Sequence, residues 1–182
     1  MAPPTEHPRL EPLALDALDD SVLSVPSEVA TTIPNLVGTW AHHPVLARRL
    51  LALSAALLDG VIPPRDREIL ILRSARNTGC DYEFGQHVRL AAHAGLTQPE
   101  IDAIATDDED DVLDEFDRTL LAAADELHTT ASLSDTTWER LAGRYDEEAL
   151  VEVPILVGNY HTIAYIVGAV GVRSEPGLPT LP

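Results

Sequence analysis

Apolar positions recur at helical spacing along most of the chain. Leu46, Leu50, Leu53 and Leu57 fall three or four residues apart, one face of a helix that turns about 100° per residue. Pro44 suits the first turn of that helix and Gly60 its stop, so a helix over 44–59 is expected. Pro63-Pro64 opens a second, with Ile69, Leu70, Leu72 and Ala75 as its apolar stripe. Arg65, Arg67, Arg73 and Arg76 leave its other side polar, and Glu68 sits at the edge of the stripe. Asn77-Thr78-Gly79 breaks that helix and starts another over 80–94, which Gly95 closes. Thr97 to Glu100 has the capping-box pattern and opens a short helix to 104. An acidic loop over 105–111 leads to an amphipathic helix over 112–129, carrying Leu113, Phe116, Leu120, Ala123, Ala124 and Leu127. Ser134-Asp135 caps a helix reaching 144. The segment 147–170 is apolar nearly all round, which marks it as a central or interfacial helix, and Pro154 is expected to kink it. Residues 1–35 are punctuated by proline around a short apolar piece at 13–18. They are expected to form an extended arm with one helical turn, lying across the body or a neighbouring subunit. Residues 173–182 read as a coil tail. The pattern predicts an all-α protein of about six or seven helices, with one domain over 36–172.

Composition narrows the function classes. The chain has 182 residues, 45% of them hydrophobic but only 4% aromatic. The core is therefore expected to be Leu, Ala, Val and Ile, a helix-friendly set. The net charge is −18, and all 12 basic residues are arginine. A surface this acidic argues against nucleic acid and anionic membranes as partners. One cysteine excludes an intrachain disulfide, and no zinc-type spacing occurs, so neither metal nor cofactor is expected. The N-terminus lacks a basic start and an apolar run, and the longest apolar stretch, 154–172, is interrupted by Asn159, Tyr160, His161, Thr162 and Tyr165. The expectation is a soluble cytoplasmic protein acting on a small molecule.

The candidate chemistry lies in 68–87. Cys80, the single cysteine, stands three residues before Glu83 and seven before His87. On a helix those offsets leave Glu83 roughly 60° and His87 roughly 20° from Cys80, so thiol, carboxylate and imidazole share one face. Placed in the first turn, Cys80 would meet free N–H groups and the positive dipole end, which favour a thiolate. Its plain alternative is a small buried hydrophobe. His87 is the general acid/base candidate, because an imidazole titrates near working pH. Glu83, one turn earlier, can orient that ring or raise its pKa; alone, it would read as an exposed helix carboxylate. Glu68 can fold back onto the same face, or else pair with Arg65 or Arg73. Tyr82 reads as packing, with substrate binding as its alternative. Tyr160 and His161, polar groups in an apolar helix, are candidates for lining the same pocket as substrate-binding residues. His42, His43, His93 and His128 read as surface or capping residues.

Glu68, Cys80, Glu83 and His87, followed by Ala94-Gly95-Leu96 and Glu100-Ile101, resemble the carboxymuconolactone decarboxylase family, which includes alkylhydroperoxidase D. The similarity runs from about His42 to Gly171 and is strongest between Arg65 and Ile104. It implies an orthogonal multi-helical bundle and a homo-oligomer, commonly a dimer, trimer or trimer of dimers, and it gives Glu68 the role of a proton relay. The family's peroxidases carry a Cys-x-x-Cys pair ahead of their histidine; here Glu83 replaces the second cysteine. Two chemistries follow. A single-cysteine peroxidase would oxidise Cys80 to a sulfenic acid and need an external thiol to return. An acid/base enzyme resembling the decarboxylase branch would use His87 to move a proton on a small carbonyl or lactone substrate. Glu68 and Glu83 would then tune the imidazole, and Cys80 would be a hydrogen-bond donor. The acid/base reading leads, because the resolving thiol is missing. A non-catalytic member of the family is the third possibility, and the substrate itself is not legible.

Overall fold

A computed structural model describes residues 8–19, 22, 34–106 and 112–182. Most of the expected N-terminal arm and of the acidic loop at 105–111 lies outside the described residues. Among these, eight α-helices and no strand occur: α1 (Pro34–Trp40), α2 (Pro44–Leu58), α3 (Pro64–Thr78), α4 (Asp81–His93), α5 (Gln98–Ala105), α6 (Glu115–Thr130), α7 (Asp135–Ala142) and α8 (Glu147–Val170). The chain divides into two compact units.

The first unit holds α1, α2, the end of α8 from Tyr165 and the tail to Leu178. α1 packs on α2, with Leu36, Val37, Trp40, Ala47 and Leu51 buried. His43 caps α2, its Nδ1 accepting from the Leu46 N–H. The described part of the arm lies against this same chain. Leu13 donates to the Gly38 carbonyl, and a Cβ at position 38 would meet the Leu13 oxygen at 2.4 Å, so the close approach requires glycine there. Arg9 donates from its backbone and its guanidinium to Val170 and Ala169, satisfying carbonyls left open at the end of α8.

The second unit is built around α3. Ile69, Leu70, Ile71, Leu72 and Ala75 are all buried, against α4, α5 and α6. The centre of the unit is therefore α3, not the more apolar α8. Its arginine side is not a solvated face either. Arg73 is nearly buried, makes two 2.7 Å bonds to Asp125, and donates to the carbonyls of Ile104 and Thr106. Arg65 reaches Asp117 at the start of α6 and Glu100 of α5. These fixed donors tie α5 and α6 to α3. Arg73→Met would remove the donor from two carbonyls and leave Asp125 with the bond from Asn77. Half-exposed Asp125 softens the loss, so it is expected to cost about 3 kcal/mol. A thermal melt should show the midpoint fall by about 6–12 °C for a chain of this size.

The helix ends follow their sequence signals. Gly79 takes φ 63°, the left-handed C-cap that lets the Cys80 N–H bond back to the Ala75 carbonyl, and Cys80 becomes the N-cap of α4. Gly95, at φ 97°, closes that helix. Thr97 and Glu100 form the expected capping box. A second box, Asp114 with Asp117, starts α6 later than its apolar pattern suggested, at Glu115 rather than 112. α8 continues through Pro154. By length and composition it could cross a membrane. Yet Glu152 accepts from the Val61 N–H, and Asn159 and Tyr160 are buried within the unit. Val151 and Ile155 stand exposed on its outer side.

Candidate functional site

α3 and α4 meet through the turn at Gly79, and that turn brings Glu68 against His87. His87 donates from Nδ1 to Glu68 Oε2 at 2.7 Å. Its Nε2 looks toward Glu83 Oε2 at 3.8 Å, beyond a hydrogen bond, so that nitrogen is not committed to the carboxylate. Both glutamates and the histidine are buried, Glu68 completely. The Tyr160 ring of α8 stands edge-on to His87, with centroids 4.9 Å apart. Arg67 donates from Nε to Glu68 Oε1 at 3.2 Å. The ion pair considered for Glu68 with Arg65 or Arg73 is thus made by Arg67, because the other two arginines are bound to Asp117, Glu100 and Asp125.

Burial sets the electrostatics. It pushes the Glu83 carboxyl up to about 7, with the His87 charge pulling the other way. Burial alone would lower His87, but the charge and hydrogen bond of Glu68 and the charge of Glu83 outweigh it and raise the imidazole. Tyr160 is pushed well up, first by burial and then by Glu83 and Glu68, and stays a neutral phenol. Cys80 departs from its expectation. It does sit at the start of α4, facing the N–H groups of Glu83 and Tyr82, but burial and the Glu83 charge win and push the thiol up to about 12. A helix N-terminus favours a thiolate only where solvent or a cation helps, and here the sulfur is nearly enclosed.

The structure therefore brings together Glu68, Glu83, His87 and Tyr160, with Cys80 against the backbone of Glu83. Tyr82 is buried. His161 bonds elsewhere. That ring lies about 100° further round α8 from Tyr160, where it bonds to Val157 and to His128 of α6. His128 is a paired surface residue. Arg67 is the member that the sequence reasoning missed. Read as one of four arginines on a polar side, it supplies the positive charge felt by both His87 and Tyr160.

Residues 44–126 match the model of the Carboxymuconolactone decarboxylase family. No curated protein sequence matches. Solved structures share the fold at low identity. The debrominase Bmp8, in a cysteine-to-alanine variant holding 2,3,4-tribromopyrrole, is similar at TM-score 0.80 and 19% identity, over 94% of each chain. An alkylhydroperoxidase AhpD core, a peroxidase-related protein from Ralstonia eutropha, gives 0.78 and 19% over 97% of this chain and 95% of its own. A peroxidase-related protein from Silicibacter gives 0.79 and 14% over 98% and 97%.

Proposed function

We propose that this protein is an acid/base enzyme of the decarboxylase type, moving a proton on a small carbonyl or lactone substrate. The observation that carries the reading is the buried Glu68–His87–Glu83 array. One carboxylate fixes the ring through Nδ1, and Nε2 remains uncommitted beside a carboxyl that titrates near neutrality. Loss of CO₂ from an activated acid leaves its electron pair on carbon as an enolate, which must be stabilised and then protonated. Protonated His87 and neutral Glu83 are the two groups able to give that proton. Arg67 and Tyr160 supply a positive charge and a polar edge for the developing anion. The Cys80 thiol, held neutral, serves as a hydrogen-bond donor.

The rival reading, a single-cysteine peroxidase, has one feature in its favour: two N–H groups face the sulfur. Against it stand the raised thiol pKa and the missing second cysteine, so the thiolate is scarce and its oxidised form has no internal partner. That Bmp8 holds a tribromopyrrole is compatible with a small cyclic substrate.

The test is carbon–deuterium exchange. The chain is incubated in D₂O with a panel of small lactone acids and keto acids, and α-deuteration and CO₂ release are followed by NMR. Exchange that survives Cys80→Ser but not His87→Ala is the expected result. Rapid turnover of organic hydroperoxide with a thiol reductant, abolished by Cys80→Ser, would overturn the reading.

A further inference from the structure

The apolar stripe expected on α2 is not the face that the chain buries. Ala47, Leu51, Ser54 and Leu57 face inward, while Val45, Leu46 and Leu53 are between 39% and 59% exposed. With Arg49 these three fall within an arc of about 100° on the helix, and Arg48 stands at its margin. Both arginines are exposed, and residues 41–58 hold no acidic side chain in a chain whose net charge is −18. The outward face of α2 is therefore apolar and positive. That of α8 is apolar and negative. Val151 and Ile155 are 60% and 45% exposed, and exposed Glu147, Glu148 and Gly158 share with them an arc of about 100°. A glycine inside a helix weakens it. Yet a Cβ at position 158 would meet nothing within 4 Å, so the chain's own packing does not require one. What the glycine leaves is room for a second helix to come close.

We propose that the outer face of α2 docks on the outer face of α8 of a second copy of this chain. The apolar side chains meet at the centre, beside the gap at Gly158, and Arg48 and Arg49 reach Glu147 and Glu148 of the partner subunit at the rim. Removing the exposed apolar groups from water drives the contact. The rim charges select which faces meet. Two α2 faces would bring four guanidinium groups together, and two α8 faces four carboxylates, so like faces repel and unlike faces attract. A second copy is the occupant because the two complementary faces are both present on every chain. One kind of contact, repeated, then suffices to close a symmetric homo-oligomer. None of these residues belongs to the proposed active site, so the assembly is independent of the reaction.

Light scattering of the full chain across a micromolar dilution series, with a set of charge variants, tests this. The expected mass for wild type is a multiple of 19.7 kDa. The paired variants Arg48→Glu/Arg49→Glu and Glu147→Arg/Glu148→Arg should each dissociate at a concentration at least ten-fold higher than wild type. Combining all four changes exchanges the charges of the two faces and should restore assembly. A wild-type monomer of 19.7 kDa throughout the series would overturn the proposal. So would an oligomer that both paired variants leave intact, or a combined variant that assembles no better than either pair. Circular dichroism melts of each variant separate a lost contact from a lost fold.

Discussion

Replacing His87 by alanine is expected to lower turnover by about 10²–10⁴-fold, the usual contribution of a positioned acid or base. Cys80→Ser should lower it by less than about ten-fold. The asymmetry follows from where the protons sit. His87 is held by Glu68 at 2.7 Å and faces Glu83 with its free nitrogen. It has a fixed orientation, and its protonated form is favoured by two carboxyl neighbours. Cys80, pushed up to about 12, is a thiol throughout the working range, and serine keeps its O–H as a donor in the same place. Removing His87 also leaves buried Glu68 with Arg67 as its ion-pair partner. A melt must therefore accompany the kinetics, and His87→Gln, which keeps a donor toward Glu68, separates lost chemistry from lost stability. Recovery of the alanine variant by added imidazole would identify the missing function as proton transfer. A Cys80→Ser variant as inactive as His87→Ala would show that the sulfur, not the imidazole, carries the reaction.

How much of this was legible in the sequence differs between backbone and site. Helix boundaries were, because their signals are local. Pro44, Pro64, Gly79, Gly95, Thr97 and Ser134 act within one turn of where they stand, and each does what its chemistry dictates. The hierarchy of helices was not. The near-continuous apolar run at 147–170 suggested the centre, while α3 took that place, with Arg73 buried against Asp125 and a partly exposed Arg65 bound to Asp117 and Glu100. Ion pairs across 35 to 52 residues leave no trace in periodicity. The site divides in the same way. Glu83 and His87 share a face by spacing, and Glu68 joins them because one glycine turn folds α3 back on α4. Tyr160 and His161, adjacent in sequence, looked equivalent until α8 was packed. One residue of rotation sends the first to His87 and the second to His128. The electrostatics were least legible of all. A helix N-terminus argued for an ionised Cys80, and only the depth of burial, a tertiary quantity, reverses that sign.

Glu83→Gln is expected to make the protein more stable, and the gain should grow with pH. The carboxyl is buried and titrates at about 7 instead of 4.5, so the folded chain binds its proton more tightly than the unfolded chain does. A group of that kind contributes its full stability below the unfolded value, and the contribution is lost as pH rises through about 7. The gap corresponds to about 3 kcal/mol at pH 8 and less than about 1 kcal/mol at pH 5. Glutamine never ionises, so it escapes this penalty while keeping the shape of the side chain. Thermal melts should place the variant above wild type by about 6–12 °C at pH 8, with a far smaller difference at pH 5. Activity should move the other way: turnover falls, and the limb of the pH–rate profile near neutrality disappears, because amide cannot deliver a proton. Glu83→Cys, which recreates the Cys-x-x-Cys spacing, removes the same carboxyl and should also lose turnover. It should gain little peroxide consumption with a dithiol, since Cys80 stays buried. Equal melting points for Glu83→Gln and wild type at pH 8 would mean that Glu83 is ionised and solvated in the fold. The proton-delivering role assigned to it would then fall.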